Sequence, residues 1–113
     1  MEIKLSKSIL DSFQLKDHDF LLDKLMYDNL SGFNEYRLYS YLTTFFDNIT
    51  ILDIGTLTGR SAVSLSYNES NNVISYDIVN YIPHDHVMRS KSNIVFKIGN
   101  VLKEITKESI EKI

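Results

Sequence analysis

An apolar run that stops on a glycine turn limits what this chain can become more than any other feature. Residues 49–54 read Ile-Thr-Ile-Leu-Asp-Ile, Gly55 ends the run, and Gly59 precedes a helix-compatible segment. A strand, a tight turn and a helix start, in that order, are what α/β proteins use to hold nucleotide-like ligands. A second apolar stretch, residues 73–77, reads Val-Ile-Ser-Tyr-Asp and closes on an acid. A carboxylate at that strand end can accept hydrogen bonds from two ribose hydroxyls. Glycine turn and acid together point to a ribose-bearing cofactor.

The stretch 53–62 resembles motif I of the class I S-adenosylmethionine-dependent methyltransferases. It is most similar to their O-methyltransferase branch, whose motif reads roughly Asp or Glu, then I-G-T-x-T-G-x-S-A. Asp53, Ile54, Gly55, Thr56, Thr58, Gly59, Ser61 and Ala62 match that pattern, and Arg60 takes a variable position. Leu57 departs from the commoner G-x-G-x-G form. The resemblance runs over about 36–102. It implies a Rossmann-like parallel sheet with flanking helices, the first three strands of that fold. It also implies S-adenosyl-L-methionine as cofactor and a small-molecule hydroxyl as methyl acceptor.

The resemblance assigns roles to single residues. Asp53 would face the methionine ammonium. The turn Gly55, Thr56, Thr58, Gly59 and the helix start, with Ser61, would meet the methionine carboxylate. Asp77 would hold the ribose hydroxyls and Ile78 would lie on the adenine face. Asn100 and Val101, after Gly99, would read the adenine edge. The family usually has Asp where this chain has Asn100, whose amide oxygen can still accept from the adenine amino group.

The chain has 113 residues, enough for one small domain. Hydrophobic residues make up 43% and charged residues 24%, which excludes a disordered composition. A net charge of −3 gives no footprint for nucleic acid or an anionic membrane. Zero cysteines remove disulfides, thiolate metal sites and a Cys nucleophile. The amino terminus has no apolar signal core, and no run approaches the roughly 20 apolar residues of a bilayer span. A cytoplasmic location is expected. His84-Asp85-His86 puts only its histidines on one face of an extended chain, with no further ligand evident, so no metal site is expected.

Periodicity places the elements. Leu22, Met26 and Leu30 predict a helix over 18–30 that Gly32 separates from a second helix over 34–46. Residues 49–54 predict a strand buried on both faces. A helix over 59–67, a strand over 73–77, a loop over 79–92 with a helical turn near 86–90 and a strand over 94–98 follow. Ile110 and Ile113 open a last helix over 106–113. The first 47 residues read as a helical part and 48–113 as a βαβαβ part of one partial cofactor-binding domain.

In the fold that the resemblance implies, the catalytic base, any Mg²⁺ ligands and the acceptor pocket follow a fourth strand. This sequence stops after the third, and its first strand would then lie at a sheet edge. Two arrangements are open: a missing carboxy-terminal half pairs with 49–54, or a second copy does, as a homodimer. The alternative function is a non-catalytic Rossmann-like remnant or assembly module. A dinucleotide site is disfavoured because Leu57 replaces the glycine that lets a pyrophosphate approach.

Overall fold

A computed structural model describes residues 2–13, 18–22 and 30–104. Helix α1 is Lys7–Ser12, and a 3₁₀ turn covers His18–Phe20. Helix α2 is Leu30–Thr43, strand β1 Thr50–Ile54, helix α3 Arg60–Leu65 and strand β2 Asn72–Asp77. A 3₁₀ turn at Val87–Ser90 leads into strand β3, Ile94–Ile98, and helix α4, Val101–Glu104. The three strands form one parallel sheet in the order β1-β2-β3. This is a small α/β domain with a Rossmann-like layout.

The alternation of side chains along each strand sets the two sheet faces. Ile51, Val73 and Ile94 share a row on the face that α3 covers. There they meet Ala62 and Val63 of α3 and Met88 and Ile82 of the loop between β2 and β3, all buried. Tyr36 of α2 and Leu21 complete this cluster, with Phe20 packed against it. The opposite face carries Leu52, Ile74 and Val95 in one row, with Val95 53% exposed. Apolar area is therefore withdrawn from water mainly on the α3 side.

Asparagine amides hold the loops at the amino-terminal end of the sheet. Asn68 Nδ2 donates to Phe46 O at 2.6 Å and to Thr43 O at 3.1 Å. Asn71, fully buried, donates to Phe46 O at 3.0 Å and accepts from Ile49 N at 3.1 Å. These amides satisfy carbonyls that the end of α2 leaves without helical partners. Asn93 does the same for Ser66 O and Asn71 O, at 2.9 and 3.1 Å. From the middle of α2, Arg37 reaches the carbonyls of Leu10 and Asp11 and so ties α1 to it.

Several boundaries differ from those the sequence predicts. The predicted helix over 18–30 begins as a 3₁₀ turn and leaves helical form by Leu21, while 23–29 lie outside the described residues. Gly32 does not break the chain. Helix α2 runs through it, because one mid-helix glycine costs only about 1 kcal/mol. The same helix ends at Thr43 rather than 46. Strand β1 is half-buried rather than buried on both faces, and Ile54 is 63% exposed. The reason is lateral: among the described residues β1 has a neighbouring strand on one side only. α3 is shorter than the predicted 59–67, β2 starts one residue earlier, and the predicted helix over 106–113 lies outside the described residues. No helix among the described residues is long and apolar enough to cross a membrane.

Candidate functional site

The glycine turn sits at the carboxy-terminal end of β1, where α/β sheets place their ligands. Gly55 has φ +84° and Gly59 φ +87°, left-handed values that favour glycine. The two differ in what surrounds them. A Cβ on Gly55 would meet nothing within 4 Å, so the space beside it is open. A Cβ on Gly59 would run into the Met88 sulfur and lie 3.3 Å from Ile82 Cδ1. Gly59 is thus required by packing under the loop between β2 and β3, and it caps α3.

Two cavities meet at Gly55. The first is a polar cleft of about 440 Å³ walled by Glu35, Tyr36 and Tyr39 of α2, Asp53 of β1, and Thr56, Arg60 and Ser61. The second is an apolar cavity of about 480 Å³ lined by Tyr76, Asp77, Ile78, Asn100, Val101 and Leu102. Ile54 and Gly55 line both. The structure therefore brings Asp53, Thr56 and Ser61 to one side of Gly55, and Asp77, Ile78, Asn100 and Val101 to the other. Thr58 and Gly59 line neither cavity.

Asp53 is buried and already engaged. Its Oδ1 accepts from Ser61 Oγ at 2.9 Å and its Oδ2 from Ser75 Oγ at 2.8 Å. Ser61 therefore holds the carboxylate in place instead of pointing a free hydroxyl at a ligand, as the resemblance had implied. A carboxylate oxygen can accept more than one hydrogen bond, so Asp53 keeps capacity for a cation in the cleft. Among the described residues, the Thr56 and Thr58 hydroxyls are buried without a hydrogen-bond partner.

Asp77 closes the turn from the far side. Its Oδ2 accepts from Leu57 N at 2.8 Å and its Oδ1 from Val79 N at 3.3 Å. Leu57 is a non-glycine residue at φ +51°, and this carboxylate helps hold it there. The acid that the sequence assigned to ribose hydroxyls thus also has a structural duty. The turn's own N–H groups are largely used inside the protein. Gly55 N and Thr56 N donate to Tyr76 O, at 2.8 and 3.4 Å, and Gly59 N donates to Thr56 O at 2.9 Å. With Leu57 N on Asp77, the backbone left to meet an anion is that of Thr58 and of the first turn of α3. α3, at six residues, adds only a short dipole.

The cleft wall contributed by α2 was only partly legible in the sequence. Glu35 and Tyr39 stand at i, i+4 spacing, which brings helix side chains together. Tyr39 Oη donates to Glu35 Oε1 at 2.7 Å. That hydrogen bond, with desolvation and the Glu35 charge, pushes the Tyr39 phenol up to about 12. Arg60 puts its guanidinium 6.0 Å from the centre of the buried Tyr36 ring. The spacing of Glu35 and Tyr39 was the available signal. Arg60 gave none, since it occupies a variable position.

His84-Asp85-His86 has a local role. His86 Nδ1 accepts from Met88 N at 3.1 Å and caps the 3₁₀ turn. Among the described residues no group of three His, Cys, Asp or Glu side chains is close enough to hold a metal ion. No family model, curated protein or solved structure matches the chain.

Proposed function

We propose that this chain is the S-adenosyl-L-methionine-binding module of a class I methyltransferase, acting in the cytoplasm on a small-molecule hydroxyl or similar acceptor. One observation carries the reading. A polar cleft with charges of both signs and an apolar cavity meet at an open glycine, with an acid beside the joint. The ligand class that fits has a zwitterionic end, a ribose and a flat apolar base.

The residues divide the work. Arg60 supports a carboxylate in the cleft. Asp53, fixed by Ser61 and Ser75, and Glu35 on the opposite wall support an ammonium group. Asp77 lies where ribose hydroxyls would pass from cleft to cavity, and its oxygens can each accept a further hydrogen bond. Ile78, 73% exposed, and Val101 offer apolar area to a base, and Asn100 offers an amide to its edge. Asn100 Oδ1 now accepts from Leu102 N at 3.0 Å, so its amide nitrogen is the better placed group for that edge.

When bound, the sulfonium supplies a methyl group that is already attached to a good leaving group. The protein's share is alignment, which is worth roughly 7–11 kcal/mol when two reactants are held in line. Leu57, in place of the glycine that lets a pyrophosphate approach the backbone, argues against a dinucleotide.

Calorimetry with two ligands tests the division. S-adenosylhomocysteine has the amino-acid end, and 5′-methylthioadenosine keeps the nucleoside without it. Arg60→Ala should weaken the first about tenfold, close to the loss of one charged hydrogen bond, and leave the second unchanged. Equal effects on both, or none on either, would remove the cleft from the site.

A further inference from the structure

The polar cleft holds more negative charge than an amino-acid end can use. Its described walls carry two carboxylates, Glu35 and Asp53, and one guanidinium, Arg60. Under the cofactor reading, on which this inference rests, a zwitterionic end sets its ammonium against one carboxylate and its own carboxylate against Arg60. One negative charge is then left over. Among the described residues, neither Glu35 nor Asp53 has a cation within ion-pair distance.

The two acids are not equivalent. Asp53 is buried, and Ser61 and Ser75 hold its two oxygens, so it is the fixed partner for the ammonium. Glu35 is exposed on the cleft wall and accepts from the Tyr39 phenol at 2.7 Å. That phenol stays protonated up to about 12, so it restrains the Glu35 carboxylate at any working pH. The Tyr36 and Tyr39 rings stand edge to face beside it, with centroids 6.3 Å apart. Aromatic faces attract cations, as Arg60 over Tyr36 already shows. Thr56 lines the same cleft, and its buried hydroxyl has no partner. An orphaned hydroxyl on a cleft wall points to a polar occupant.

We propose that Glu35, positioned by Tyr39, selects the cationic form of the cofactor, the sulfonium of S-adenosylmethionine, over the neutral thioether of S-adenosylhomocysteine. The two ligands share the amino-acid end, the ribose and the base. They differ by one methyl group and one positive charge. Their sulfur lies between amino-acid end and ribose, which puts it where the cleft opens to the apolar cavity at Gly55. A sulfonium there balances the surplus carboxylate, and a thioether does not. Methyl transfer leaves the bonding pair on sulfur and removes the positive charge. The carboxylate that draws the cofactor in therefore holds the product less tightly. Glu35 is exposed, so the preference is small, about fivefold, and should shrink as salt rises from about 0.05 to about 0.5 M.

Calorimetry on the intact chain tests this with three ligands: S-adenosylmethionine, S-adenosylhomocysteine and sinefungin. Sinefungin carries an amine in place of the methylated sulfur, and so has the charge without a transferable methyl. The parent should bind both cationic ligands about fivefold tighter than S-adenosylhomocysteine. Glu35→Gln should abolish that preference. Tyr39→Phe, which only releases the carboxylate, should reduce it and leave S-adenosylhomocysteine affinity unchanged. If Glu35→Gln weakens all three ligands equally, Glu35 reads only the ammonium they share, and the proposal falls while the cofactor reading stands. A parent that binds S-adenosylhomocysteine as tightly as the two cations would overturn the proposal in the same way. A parent that is folded by circular dichroism and binds none of the three would overturn both.

Discussion

Asp77 carries two duties that one pair of substitutions separates. Its carboxylate holds Leu57 N at 2.8 Å and Val79 N at 3.3 Å. Hydrogen bonds to a charged group contribute roughly 1.5–3 kcal/mol each when well formed. The longer bond counts for less, and Asp77 is only half-buried, so Asp77→Ala should cost about 2 kcal/mol of stability. In a domain of this size that lowers the melting temperature by about 8–16 °C. Asp77→Asn keeps an oxygen for Leu57 N and should lose about half as much. Its binding effect should be the larger one, because an amide has lost an acceptor oxygen that ribose hydroxyls would use. S-adenosylhomocysteine affinity should fall about tenfold in Asp77→Asn, equivalent to roughly 1.4 kcal/mol. An analogue lacking both ribose hydroxyls should bind parent and Asp77→Asn alike. Thermal unfolding followed by circular dichroism gives the first quantity, and calorimetry gives the second. If Asp77→Ala melts with the parent, the latch on Leu57 is not a real restraint. If Asp77→Asn weakens both ligands equally, Asp77 acts through the fold alone.

Gly55→Ala adds a methyl that meets no atom within 4 Å but sits on a φ of +84°. It should cost about 1–2 kcal/mol in urea unfolding yet abolish most S-adenosylhomocysteine binding, because the methyl fills the joint between the cavities. Asn71→Ala leaves Ile49 N without its partner and takes from Phe46 O one of its two amide donors, Asn68 keeping the other, and should cost about 2 kcal/mol by the same assay. The Tyr39 phenol is held protonated up to about 12. An acid whose folded value is raised above its ordinary one stabilises the fold below the ordinary value and loses that contribution as pH rises through the folded value. Stability should therefore decline between pH 10 and about 12, and Tyr39→Phe should flatten that limb in a pH series of thermal melts.

The sheet was the most legible part of the chain. The run before Gly55, the run ending at Asp77 and the run 94–98 are short, apolar and rich in β-branched residues, and each is a strand of the observed sheet. Their parallel order follows from the connections between them. The helices were less legible, for two physical reasons. Gly32 is a weak breaker, and tertiary contacts of α2 with α3 outweigh its propensity cost, including Ser40 Oγ donating to Ser64 O at 2.9 Å. The end of α2 is set by Asn68 and Asn71, more than twenty residues away in sequence, which no local pattern reports.

The candidate site was legible as residue identities more than as bonding. Asp53, Gly55, Thr56, Ser61 and Asp77 do gather around the turn. What the motif could not convey is that Ser61 and Ser75 clamp Asp53, that Asp77 latches Leu57, and that Met88 fixes Gly59. Ser75 and Met88 come from other elements, so only the fold reveals them. Arg60 entered the site the same way, through the approach of α2 to α3.

The most direct measurement is calorimetric titration of the intact chain with S-adenosylhomocysteine and, separately, with NAD. Saturable binding of S-adenosylhomocysteine is expected, with at least tenfold weaker binding of NAD, because Leu57 stands where a pyrophosphate needs a glycine. NAD binding as tight as S-adenosylhomocysteine, or no heat with S-adenosylhomocysteine from a folded chain, would contradict it.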